Sequence, residues 1–203
     1  MPSGRLRILM ILSLVSCLPL LASCGDEEGD GWIRGSLVIP ECIDGMTKRY
    51  ECEDGTPRVE CEAFDLKANF FALQVYPDNS AKLRMQWGGA DLATTDGLVL
   101  EIRDTRSMRG RLSQRLPIGL DENIRAGLGL FSRCPDSTQN FQLLGSIVFS
   151  RFGVENGDRV TGEIDGLEVR DGRSGEPGVV LGYLRGRFDF QLKAGPPYQR
   201  FQQ

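Results

Sequence analysis

The sequence predicts an all-β domain, an antiparallel β-sandwich or barrel-like body, following an N-terminal leader. Several short stretches alternate apolar and polar residues with the period of two that a half-buried strand requires. Clusters of Gly, Pro, Asn and Asp separate these stretches at short intervals. No segment sustains the 3.6-residue period of an amphipathic helix.

Trp32 to Ile39 is the first β-like run, ended by Pro40. Asn69 to Tyr76 is rich in aromatic residues and closes at the turn cluster Pro77-Asp78-Asn79. In Ala81 to Trp87, residues Ala81, Leu83, Met85 and Trp87 share one face, and Lys82, Arg84 and Gln86 share the other. This alternation places Trp87 in the core. Gly97 to Arg103 is a further strand, and Asn123 to Phe131 is a weaker one carrying two glycines. Leu112 to Ile124 has room for a helical turn. Leu143 to Phe152 leads into Glu155-Asn156-Gly157-Asp158, whose Asn-Gly centre marks a hairpin. Arg159 to Arg170 returns from it, with a bulge expected at Asp165-Gly166. A Gly-, Ser- and Pro-rich loop, Asp171 to Val179, precedes an alternating run from Val180 to Leu192. The stretch Glu101 to Ser107 echoes Glu168 to Ser174; two similar strand-to-turn junctions explain this more simply than a duplicated half-domain.

The chain has 203 residues, 40% of them hydrophobic, with 24 Lys plus Arg against 28 Asp plus Glu. That composition folds, and the length suits one domain. The absence of histidine excludes Ser-His-Asp and Cys-His nucleophiles, His-ligated metals and imidazole acid–base chemistry.

The first residues read as an address. Arg5 and Arg7 precede an apolar run from Ile8 to Leu21. A membrane-spanning helix needs about 20 apolar residues. This shorter run with a basic flank has the length of a signal-peptide core. Leu21-Ala22-Ser23-Cys24 then resembles the lipobox of bacterial lipoproteins. That resemblance implies cleavage before Cys24, which becomes a lipidated N-terminus. Leu14-Val15-Ser16-Cys17 also fits the pattern, but cleavage there would halve the apolar core and leave Leu18 to Leu21 in the mature chain. The expected organisation is a signal peptide over 1–23, a lipidated acidic tether over 24–31 and one β-rich domain over 32–203. Gly25 follows the cysteine where the sorting rule of enteric bacteria would place Asp for inner-membrane retention, so the outer membrane is favoured. Loss of Arg5 and Arg7 takes the formal charge from −4 to −6. An acidic body argues against nucleic acid as a partner and against a polybasic grip on anionic lipid.

Cys42, Cys52, Cys61 and Cys134 read as two disulfides in an exported chain. Three pairings are open. Cys52 and Cys61 flank a turn-like Glu53-Asp54-Gly55-Thr56-Pro57, which favours Cys52–Cys61 with Cys42–Cys134. Four zinc thiolates are the alternative, but the spacing lacks the close cysteine pairs of zinc sites.

Several soft motifs accompany the lipobox: Phe64-Asp65-Leu66 with Asn69-Phe70-Phe71-Ala72, Asp96-Gly97-Leu98, Cys134-Pro135, a hairpin centred on Gly162, and the tail Gly195 to Phe201. Together they resemble exported lipoproteins of the myxobacterial type. The resemblance implies a location at the cell envelope and carries no activity.

Catalysis without histidine would fall to a carboxylate pair, with Glu101, Asp104, Glu163, Asp165, Glu168 and Asp171 as candidates, or to a Ser-Lys dyad, for which no motif exists. Acids spaced along strands more commonly form a solvated face. Asp171 to Glu176 offers two acids in a glycine-rich loop, short of a calcium signature. Trp32, Trp87, Tyr183 and Tyr198 are the aromatic candidates for a sugar or peptide surface. The expectation is a non-enzymatic binding or accessory module of the cell envelope, held to the membrane by its lipid. No cofactor or metal is expected, and an envelope protein or glycan is the partner to look for. An envelope hydrolase, or a structural subunit of an outer-membrane assembly, is the alternative.

Overall fold

Three long strands organise the molecule: β8 (Phe141–Phe152), β9 (Arg159–Asp171) and β10 (Val180–Gln191). The computed structural model describes residues 29–37, 64–87, 95–132, 141–172 and 178–192. The remaining strands are β1 (Gly29–Leu37), β2 (Phe64–Lys67), β3 (Phe70–Val75), β4 (Ala81–Trp87), β5 (Asp96–Ile102), β6 (Arg115–Ile118) and β7 (Ile124–Leu130). One short helix, α1 (Thr105–Arg109), is capped by the Asp104 carboxylate, which accepts from the Arg106 amide.

Among the described residues, all ten strands form one sheet in the order β2-β1-β10-β9-β8-β6-β7-β5-β4-β3. The sheet is curled into a half-barrel, so the barrel-like form of the expected all-β domain holds and the two-sheet sandwich does not. It is antiparallel except for one parallel contact, Ile118 with Ile124 between β6 and β7. Its two edges are consecutive in the chain. Between β2 and β3 lie only Ala68 and Asn69. The Ala68 amide donates to the Gly31 carbonyl (3.1 Å) and the Asn69 amide to that of Gln86 (3.0 Å). The chain therefore steps from one edge of the sheet to the other in two residues. Edges left open this way would invite pairing with another chain.

The concave face is packed with one contiguous apolar core. A line of phenylalanine rings crosses it. Phe152 meets Phe149 edge-on (5.2 Å), Phe149 meets Phe188 (5.8 Å), Phe188 meets Phe190 (6.2 Å), and Phe190 stacks on Phe71 (5.4 Å). Centroid distances of 4.5–7 Å are those at which such pairs attract. The line joins β8, β10 and β3. Two glycines make room for it: a Cβ on Gly162 would lie 2.5 Å from the Phe188 ring, and one on Gly31 2.7 Å from the Phe71 ring.

The Asn156-Gly157 hairpin forms as expected, with Gly157 at φ +87° and the Asp158 carboxylate accepting from the amides of Val154 and Glu155 (both 2.9 Å). The bulge also lies where Asp165-Gly166 places it: Leu167 faces Leu184, Ile164 faces Gly186, and Arg185 alone opposes the two residues between. Gly166 takes φ +62° there, a conformation that costs glycine little.

Four local expectations need correction. β1 begins at Gly29, so Gly29, Asp30 and Gly31 belong to the sheet and not to the tether. Over 112–124 there is a strand, β6, instead of a helical turn; the helix lies earlier, at Thr105–Arg109. Trp87 is 46% exposed. It ends β4 beyond Met85, so the face is right but the interior has run out. Arg84 and Gln86, placed on the solvent side, are 3% and 1% exposed, so β4 is covered on both faces.

The ring line yields a paired test. Gly162→Ala is expected to cost about 1–3 kcal/mol through overpacking against Phe188. Gly127→Ala, where a Cβ would meet nothing within 4 Å, is expected to stay within about 0.5 kcal/mol of the parent. Urea unfolding midpoints of the two variants decide it.

Candidate functional site

The outward face is polar and largely paired. Arg159 forms a two-pronged contact with Asp189 (Nε–Oδ1 2.6 Å, Nη2–Oδ2 2.9 Å), and the Thr161 hydroxyl donates to the same carboxylate (2.8 Å). These hydrogen bonds, that from Arg159 first, hold the Asp189 carboxyl below its usual range, against a smaller upward effect of burial. The same contact raises the Arg159 guanidinium.

Three of the six carboxylates singled out for catalysis also face a cation. Glu101 pairs with Lys82 (2.9 Å), Asp165 with Arg115 (2.9 Å) and Glu168 with Arg170. Asp104 caps α1, and the Asp171 amide closes the loop by donating to the Val179 carbonyl (3.0 Å). Glu163 is exposed on β9. Among the described residues, no group of three or more Cys, Asp or Glu side chains is placed to hold a metal ion. Cys24, Cys42, Cys52, Cys61, Cys134, Tyr198 and the loop residues 173–177 lie outside the described residues, as does the zinc alternative that rests on those cysteines.

Two concavities stand out. One, about 610 Å³, has a mixed polar and apolar lining and borders Asp30, Val148, Arg159, Glu163, Arg187 and Asp189. The second, about 520 Å³, lies over β4, β5 and β7, with Val99, Leu128 and Phe131 beside Arg84 and Gln86. The Arg84 Nη1 approaches Gln86 Oε1 at 3.5 Å, and burial lowers its guanidinium from the ordinary value.

The sequence did not reveal the cluster around Trp32. Alternation sends Trp32 and Arg34 of β1 to the outer face. Register then sets Trp32 beside Arg187 on β10 and Lys67 on β2, and Arg34 beside Arg185 and Asp65. Three guanidinium carbons surround the indole: Arg34 at 4.8 Å from the ring centroid, Arg187 at 5.7 Å and Arg185 at 6.0 Å. That is cation–π range. Arg34 also meets Asp65 (3.2 Å), and Arg187 meets Asp30 (3.3 Å). The alternating Trp-Ile-Arg and Arg-Gly-Arg triplets are the only signal in sequence, and they mean little until the register is known. Of the other described aromatic candidates, Tyr183 is partly buried on β10 opposite Ser36, and Trp87 is exposed at the end of β4.

The chain matches no family model, no curated protein and no solved structure. Its function must be argued from its own residues.

The Asp189 contact makes a pH prediction. A carboxyl depressed in the folded state contributes stability above its unfolded value, 3.8, and loses it as pH falls through the folded value. Asp189→Asn is therefore expected to be less stable than the parent at neutral pH, with the gap narrowing below about pH 4. Urea midpoints measured across that range check it; a gap that stays constant would refute the assignment.

Proposed function

We propose that this chain is a lipid-anchored protein of the cell envelope whose β-barrel-like body serves as a non-catalytic binding or accessory module. The observation that carries the reading is the junction of leader and fold. A basic-flanked apolar run ends in Leu21-Ala22-Ser23-Cys24, and the sheet begins five residues later at Gly29. A cysteine so placed leaves only Gly25 to Glu28 between an acylated N-terminus and β1. Each buried methylene of an acyl chain contributes about 0.8 kcal/mol, so two or three chains hold the body to a bilayer durably. Gly25 favours the outer membrane.

The non-catalytic part of the reading is supported by the use of the candidate acids. Glu101, Asp165 and Glu168 are held by basic partners on the outward face. A carboxylate pair for hydrolysis needs two acids flanking a substrate cleft about 5–10 Å apart. The outward face also carries Asp65, Lys67, Glu163 and Arg187, side chains that are costly against hydrocarbon. This supports a body resting beside the bilayer. Among the described residues, no helix is long and apolar enough to cross a membrane.

Cys24→Ala is expected to move the protein out of the membrane fraction. Retention of the variant at the parent level would overturn the anchor. For the cysteines, peptide mapping without reduction is expected to find Cys52 joined to Cys61 and Cys42 to Cys134, with an acylated peptide starting at Cys24. Free thiols at these four positions would sink the disulfide assignment.

A further inference from the structure

On the outward face of β4, β5 and β7 three rows of residues run across the strands. Gln86, Gly97 and Gly129 form one row, Arg84, Val99 and Gly127 the next, and Lys82, Glu101 and Arg125 the third. Their neighbours Met85, Leu98 and Leu128 turn into the core. The concavity of about 520 Å³ lies over the glycines of the first two rows. The fold itself accounts for two of these glycines. A Cβ on Gly97 would lie 2.7 Å from the Met85 carbonyl, and one on Gly129 would lie 2.8 Å from the Phe131 ring. Gly127 has no such reason: a Cβ there would meet nothing within 4 Å, and its φ is not positive. Glycine weakens the interior of a strand, and one reason to find it there is the close approach of a ligand.

The floor of the concavity selects the occupant. Phe131 already makes the contact that the floor allows: its ring lies over Gly129 and stays 42% exposed. Same-face positions on one strand stand about 6.7 Å apart. A second ring laid over Gly127 would therefore sit beside Phe131 within the roughly 4.5–7 Å at which aromatic rings attract. Val99, across from Gly127 on β5, widens the floor beyond a single ring. The lining is mostly apolar, so an ionised ligand would lose hydration against Val99 and Phe131. The volume is within the roughly 300–1,000 Å³ of small-molecule sites. We propose that this concavity binds an uncharged, planar aromatic molecule of one or two fused rings, lying face-down on Gly127 beside Phe131. The inference gives the binding module proposed above a site and a ligand class; it rests on that half of the reading and not on the anchor.

The test is equilibrium dialysis of the full chain in detergent micelles against 2-naphthol, which is uncharged at neutral pH, with protein-free micelles as the blank. The parent is expected to retain 2-naphthol above the blank. Gly127→Leu, which puts a side chain where the ring would lie, is expected to retain none above it. Phe131→Ala is expected to weaken retention about two- to twelvefold, the equivalent of one aromatic pair. Urea midpoints show whether each variant is folded, and saturating 2-naphthol is expected to raise the midpoint of the parent but not that of Gly127→Leu. If Gly127→Leu does not fold, Gly127→Ala replaces it, and its retention must fall below that of the parent.

Equal retention by the parent and a folded Gly127 variant overturns the site. Retention of 1-octanol but not of 2-naphthol by the parent overturns the planar aromatic class. Retention by the parent no greater than the blank overturns the inference and leaves the anchor, which membrane fractionation reads, standing. Gly127-dependent retention by a protein that fractionates away from membranes supports the site and overturns the anchor.

Discussion

The line of phenylalanine rings from Phe152 to Phe71 is the contact on which the rest of the architecture depends. It ties the long hairpin strands β8 and β10 to β3, which stands at the opposite edge of the same sheet. A flat ten-stranded sheet would leave these rings in water. Curling the sheet buries them, and each ring removed from solvent is worth a few kcal/mol. The curl has a geometric condition, because rings can cross the interior only where the facing backbone is bare. Gly162 and Gly31 meet that condition at Phe188 and Phe71. Glycine is a poor strand former, so its presence in the middle of β1 and β9 is a local cost that ring packing offsets.

Once the rings claim the concave side, every strand sends its polar partners outward, and the outer face becomes a lattice of cross-strand pairs. Arg159 with Asp189 and Lys82 with Glu101 are the clearest. Exposed pairs of this kind contribute little individually. Their larger effect is on register: slipping a strand by one residue would expose its phenylalanines and bury its arginines. The Trp32 cluster follows from the same rule. With Ile33 directed inward, Trp32 and Arg34 must point out, and β10 does likewise with Arg185 and Arg187 around the inward-facing Gly186.

How far this could be read from sequence follows from the range of the interactions involved. The hairpin at Asn156-Gly157 and the bulge at Asp165-Gly166 were legible because each is specified by adjacent residues. β2 was missed because four residues, Phe64 to Lys67, hold too little alternation to register as a strand. Trp87 was misplaced because period two reports a face but not where the interior ends. Arg84 and Gln86 show the converse, since a polar side chain on the outer face can still be covered. The surroundings of Trp32 were beyond reach. Asp30 and Arg187 are 157 residues apart, and only the β1–β10 register brings them together.

That register also gives β1 an unusual position. It is the first of the described strands, and it lies between β2 and β10 near the step that joins the sheet's edges. Ala68 donates to Gly31 and Phe71 packs over the same glycine, so the first residues of β1 take part in holding the curl of the sheet. A pull on the segment before Gly29 would therefore act on a strand hydrogen-bonded along both sides and covered by a ring. Nine paired residues along β10 and four along β2 must separate together before β1 can peel away. Separation of β1 from the sheet is thus coupled to the ring line through Phe71 as well as to the backbone pairing on both of its sides.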